Sequence, residues 1–112
     1  MTSGTSNYLY GLWGTSSNDV FAVGDWGTIL HYNGTSWSPM TSGTSNTLYG
    51  VWGSSGTDVF IVGSGGKILH YNGTSWEPHT SGTTNYLYGI WGTSTTDVFA
   101  VGDGTTILHY CP

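Results

Sequence analysis

Three histidines, His31, His70 and His109, and three aspartates, Asp19, Asp58 and Asp97, recur at matching positions in successive stretches of this 112-residue chain. Histidine and carboxylate together are the raw material of a metal site or of general acid and base chemistry. Neither reading gathers support. Repetition sets the copies on successive structural units, where they cannot converge on one ion, and no nucleophile with a neighbouring base can be identified. The expectation is a chain that is not an enzyme, with no catalytic residue, metal or cofactor.

A second group of residues suits binding. Tyrosine and tryptophan flanked by Asn, Asp and Gly on turns suit carbohydrate: the aromatic face packs against apolar C–H groups and short polar side chains take the hydroxyls. Trp26 is the sharpest case. It stands in the turn Asp25-Trp26-Gly27, where the other copies have Gly65 and Gly104, and an exposed turn tryptophan has no obvious core role. The candidate ligand-binding residues are Trp26, Asp25, Tyr10, Tyr49 and Tyr88, with glycans as the ligand class. Asn33-Gly34-Thr35 and Asn72-Gly73-Thr74 match the N-glycosylation acceptor pattern, although both also work as hairpin turns. Cys111, the single cysteine, can form no internal disulfide and is either a free thiol or an intermolecular bridge.

Composition narrows the partners. Lys67 is the one residue among Lys and Arg, against six Asp and Glu, for a net charge of -5. Such a surface has no footprint for phosphate backbones or anionic lipid, so nucleic acid and membrane are excluded as partners. Six tryptophans, eight tyrosines and three phenylalanines supply more buriable area than disordered chains carry. Polarity comes from Ser, Thr, Asn and Gly, a balance typical of secreted and cell-surface β proteins. No apolar run approaches a membrane span, and Met1 leads straight into repeat sequence with no charged-then-apolar leader.

The elements that position these residues follow from a threefold repeat. Asp19-Val20-Phe21-Ala22-Val23-Gly24 returns as Asp58 to Gly63 and as Asp97 to Gly102. From Thr2 to Thr41 to Thr80 the step is about 39 residues, within the range of propeller and solenoid units. The units are 2–40, 41–79 and 80–112 of one domain. In the first, Tyr8 to Trp13 reads as a strand running into a turn cluster, Gly14 to Asn18. Asp19 to Gly24 is nearly continuously apolar, as a strand covered on both faces should be. Asp25-Trp26-Gly27 makes a short connection to a third strand, Thr28 to Tyr32. Asn33-Gly34 is a strong hairpin signal leading to a fourth, Thr35 to Pro39. Pro39 belongs on an edge, because it cannot donate to a ladder. That places Leu9 to Trp13 innermost.

No segment offers a helical period free of Gly. The fold class is all-β, and four short antiparallel strands per repeat describe a propeller blade. A parallel β-helix is the competing solenoid, but its turns lack repeated Asn-Gly hairpins. The third unit stops at Tyr110-Cys111-Pro112 and lacks its outer strand, so eleven strands are expected, with Pro112 discouraging further edge pairing.

The stretch from Val23 to Trp37, Val-Gly-Asp-x-Gly-Thr-Ile-Leu-His-Tyr-Asn-Gly-Thr-Ser-Trp, resembles the repeat of bacterial propellers of the Asp-box and BNR type, including the photosystem assembly factor group. The pattern departs where the Asp-box aspartate should stand: Asn33 and Asn72 occupy that turn, and the third copy has Cys111. Sialidase chemistry, found in some members, needs an arginine cluster, and this chain has no arginine. Likeness to blades of the WD type implies a structural network of Asp19, Asp58 and Asp97 with His31, His70 and His109, Trp13, Trp52 and Trp91, and Ser or Thr. The closeness of the copies and a start at a repeat boundary suggest a piece cut from, or designed on, a longer repeat array.

Three blades leave two open faces carrying rows of apolar residues, more than soluble monomers expose. The expectation is a ring closed by homo-oligomerisation, six-bladed from two chains or, as the alternative, nine-bladed from three. The function expected is that of a self-assembling scaffold. A carbohydrate-binding, lectin-like propeller is the alternative.

Overall fold

The computed structural model describes residues 5–94 and 97–110, apart from the side chain of Tyr110. Cys111 and Pro112, with the expectations placed on them, lie outside these residues. The chain is all-β: eleven strands in three antiparallel sheets, with two three-residue 3-10 turns as the helical content among the described residues. The first sheet holds β1 (Leu9–Ser16), β2 (Asp19–Gly24), β3 (Ile29–Tyr32) and β4 (Trp37–Met40) in sequence order. The second repeats it as β5 (Leu48–Ser55), β6 (Asp58–Gly63), β7 (Ile68–Tyr71) and β8 (Trp76–His79). The third has three strands, β9 (Leu87–Ser94), β10 (Asp97–Gly102) and β11 (Ile107–Tyr110).

Each sheet is a meander because its turns are short. Asn33 Oδ1 accepts from the backbone N–H groups of Thr35 and Ser36, and Asn72 Oδ1 does the same for Thr74 and Ser75. These local bonds close the hairpins before β4 and β8. Pro39 faces Leu30 and Pro78 faces Leu69 on those two strands, which are sheet edges, where a missing N–H costs least. At the other edge, β1, β5 and β9 approach one another: a Cβ on Gly11 would lie 2.7 Å from the Tyr49 carbonyl oxygen, and one on Gly50 would lie 3.0 Å from that of Tyr88.

The first strand is longer than its sequence suggests. Gly14-Thr15-Ser16 reads as turn chemistry, yet it belongs to β1, with Gly14 opposite Val20 and Ser16 opposite Asp19. The pairing survives because the strand carries two bulges, one between Leu9 and Gly11 and one between Gly14 and Ser16. The same pair of bulges recurs in β5 and β9. Asp25–Gly27, expected as the short connection between the second and third strands, is that connection and takes the form of a 3-10 turn.

The core lies between the sheets. Side chains alternate across each strand, so β6 sends Ile61 and Val59 toward the first sheet and Val62 toward the third. Phe21, Val23 and Ile29 meet Val51, Ile61, Leu69 and Trp76 in one cluster. Val62 and Ile68 meet Leu87 and Ala100, with Ile90 and Leu108 packed alongside, in the other. The middle sheet is thus covered on both faces, and its central strand is buried from Val59 to Gly63.

Candidate functional site

The two bulges of each inner strand aim its chemistry. A bulge leaves one residue unpaired and turns it off the ladder. At one end the extra residue is Tyr10, Tyr49 or Tyr88. At the other it is Thr15, Ser54 or Thr93.

The hydroxyls at this second end donate to the aspartates. Thr15 Oγ1 lies 2.6 Å from Asp19 Oδ2 and Thr93 Oγ1 lies 3.0 Å from Asp97 Oδ2, while Ser54 bonds Asp58 in the same way. The second carboxylate oxygen accepts from histidine Nε2: His31 to Asp19 and His70 to Asp58 at 2.6 Å, His109 to Asp97 at 2.5 Å. Each imidazole also packs on a phenylalanine of the neighbouring strand, with centroids 4.7 Å apart for Phe21 and His31 and 4.4 Å for the Phe60–His70 and Phe99–His109 pairs. The bond from Thr15, followed by that from His31, holds the Asp19 carboxyl below its usual range. An ordered triad of this kind ties β1, β2 and β3 together at one end of the sheet. Its histidine nitrogen is committed to carboxylate. Among the described residues no group of three or more His, Cys, Asp or Glu could hold a metal ion.

Trp13, Trp52 and Trp91 stand apart from these triads and act by packing. Their rings lie 6.2 to 6.4 Å from Phe21, Phe60 and Phe99. Trp13 reaches across to the second sheet and covers Gly53, where a Cβ would lie 2.8 Å from the indole. Trp52 covers Gly92 in the same way. Trp91 covers no glycine among the described residues and is 60% exposed.

At the opposite end the bulged tyrosines form a row. Ring centroids are 5.4 Å apart for Tyr10 and Tyr49 and 4.8 Å for Tyr49 and Tyr88, and Tyr86 packs within 6.3 Å of both Tyr49 and Tyr88. A carboxylate stands at each end of the row. Tyr88 donates its hydroxyl to Asp103 Oδ2 at 3.2 Å, and Thr47 donates to Asp25 Oδ1 at 3.4 Å. Loss of hydration and then the Asp25 carboxylate push the Tyr10 phenol up, and loss of hydration and then the Asp103 carboxylate push up Tyr88. Tyr49 is raised by loss of hydration and the charges around it, Asp25 and Asp103 among them.

Of the five candidate ligand residues, four therefore converge here: Asp25, Tyr10, Tyr49 and Tyr88. Trp26 follows Asp25 on the same turn and is 74% exposed. Its φ of 60° lies in the left-handed region, which the second and third sheets reach with Gly65 and Gly104. Sequence reasoning missed Asp103, and with it the paired carboxylates. The signal was available, since Asp103 aligns with Asp25 in the repeat.

The outer faces complete the picture. Val23, Ile29, Val62 and Ile68 are 0 to 4% exposed between sheets. Their equivalents in the last sheet, Val101 and Ile107, are 47% and 73% exposed. On the first sheet the opposite face holds a shallow apolar groove of about 350 Å³ lined by Leu9, Tyr10, Leu12, Ala22, Leu30 and Trp37. No known protein family matches this chain, and no curated protein matches it.

Proposed function

We propose that the chain is a three-bladed segment of a β-propeller, akin to the Asp-box and BNR repeats, whose function is self-assembly: two copies join head to tail in a closed six-bladed ring. One observation carries this reading. The face of the last sheet has the same residues as faces that are sealed elsewhere in the molecule, yet Val101 and Ile107 stand in solvent. The first sheet carries the matching residues on its outward side, Leu12, which is exposed, beside Ala22 and Leu30, which are buried, in the positions of Val51, Ile61 and Leu69. A head-to-tail contact of this kind closes into a ring when the rotation permits.

The register of the contact follows from the repeat. Trp13 covers Gly53 and Trp52 covers Gly92, so Trp91 covers Gly14 of a second copy, the one glycine of that series with no indole on it. Blade count bears on ring size: propellers are built from about four to eight blades, so six blades from two chains fall inside that range and nine from three fall outside it.

Native mass measurement tests the proposal. Two chains of 11.9 kDa give a ring of about 24 kDa and three give about 36 kDa. A stable single chain at micromolar dilution would remove the reading.

A further inference from the structure

We propose that the tyrosine row, once closed into a six-bladed rim, binds a small organic cation, an alkylated or methylated ammonium group. The inference rests on the two-chain ring. With centroids 5.4 and 4.8 Å apart, six such rings set around a sixfold axis lie about 5 Å from it. A cation on the axis is then inside the roughly 6 Å over which aromatic rings attract positive charge. Nine rings at the same spacing would stand about 7.5 Å away, beyond that reach.

Charge selects the occupant. Each chain brings Asp25 and Asp103 to the row, so a two-chain rim holds four carboxylates. Lys67, on the equivalent turn of the middle sheet, adds one positive charge per chain, and the carboxylates still outnumber it two to one. An ionised carboxylate has about four acceptor sites, and the donors at Asp25 and Asp103 leave capacity on both. Like charges drawn together around one axis repel, and a bound cation offsets that repulsion. A neutral sugar would meet the same aromatic surface without this gain. The bulges show that the arrangement is built: in all three sheets the tyrosine is the residue turned off the ladder.

The test titrates the full chain with tetramethylammonium and choline, reading affinity by calorimetry and stoichiometry by native mass. The controls are 3,3-dimethylbutan-1-ol, the uncharged carbon analogue of choline, and methyl glucoside. The expected result is one cation per two-chain ring, with the uncharged analogue at least about tenfold weaker. The double variant Asp25→Asn and Asp103→Asn loses at least about tenfold in cation affinity while the ring mass is unchanged. An intact ring that binds no cation overturns this inference alone. So does equal binding of the uncharged analogue, or methyl glucoside binding in place of the cation. A mass of one chain overturns the assembly and the rim together, so the two failures are told apart.

Discussion

Replacing Ile107 by alanine separates an assembling chain from a solitary one. Ile107 is 73% exposed, whereas Ile29 and Ile68, at the same place in the other sheets, are 1% and 4% exposed. Fully burying an isoleucine side chain stabilises by about 1.5–3 kcal/mol, so sealing the exposed part of Ile107 contributes about 2 kcal/mol per contact. A two-chain ring contains two such contacts, about 4 kcal/mol in total, or roughly a thousandfold in the dissociation constant at about 1.4 kcal/mol per tenfold. A dilution series followed by sedimentation or light scattering reads this directly. Ile107→Ala is expected to fall apart at concentrations at which the unaltered chain remains a ring, with its sheets still folded by circular dichroism. The matched control is Ile68→Ala, which opens a cavity inside the chain and lowers folding stability by about 2–5 kcal/mol. If Ile107→Ala dissociates at the same concentration as the parent, the open face is not an interface and the reasoning fails.

Gly89→Ala meets only Val101 within the chain, at 3.1 Å, whereas the equivalent Cβ positions on Gly11 and Gly50 run into the Tyr49 and Tyr88 carbonyls of the next sheet. It is expected to weaken the ring at least about tenfold with little change in the folding of the chain, while Gly50→Ala lowers the melting temperature; equal effects in both assays would count against the register. Asp19, held below its usual range by Thr15 and His31, contributes stability that is fully present above its unfolded value of about 4 and lost as pH falls through the lower folded value. Melting curves from pH 6 to pH 2 should therefore show a shallower acid decline for Asp19→Asn than for the parent, and superimposable declines would refute the role of the triad. Trp26→Gly removes a left-handed tryptophan costing about 1–2 kcal/mol at the expense of a looser unfolded chain costing about 0.5–1 kcal/mol, so a small rise in melting temperature is expected; a fall would show that the indole makes a stabilising contact.

The strands were legible because period and punctuation agreed. Asp19 to Gly24 was read with its true ends, and Asn33-Gly34 with Pro39 placed β4 on an edge. Three features were hidden for physical reasons. Bulges come from mismatched pairing between two strands, and neither strand alone records them, so Thr15 looked like turn chemistry while serving as the hydroxyl partner of Asp19. Tyr10, Tyr49 and Tyr88 were legible together as inner-strand candidates, but their ring-to-ring packing needs the sheets side by side, which a repeat period does not specify. Likeness to WD-type blades put the tryptophans in one network with the Asp–His pairs, but Trp13 and Trp52 reach between sheets and seat on Gly53 and Gly92.

One departure from the repeat bears on closure. Gly27 and Gly66 have positive φ, and a Cβ on either would lie within 2.0 Å of a carbonyl oxygen, Thr44 or Thr83, of the segment crossing to the next sheet. The third sheet puts Thr105 there, also at φ 60°. The Thr105 hydroxyl donates to the Gly104 carbonyl oxygen. In the two-chain ring proposed above, Thr5 of a second copy, the repeat equivalent of Thr44, would meet this turn, and the Thr105 side chain would stand where Gly27 and Gly66 leave room. On that proposal the seam between copies would differ from the internal contacts at this turn and repeat their residues across the apolar faces. Those faces are where the free energy lies, since Val101, Ile107 and Trp91 together expose most of what Val62, Ile68 and Trp52 bury. The last sheet thus leaves exposed the residues that the first two sheets seal against a neighbour, which is the ground of the assembly proposed here.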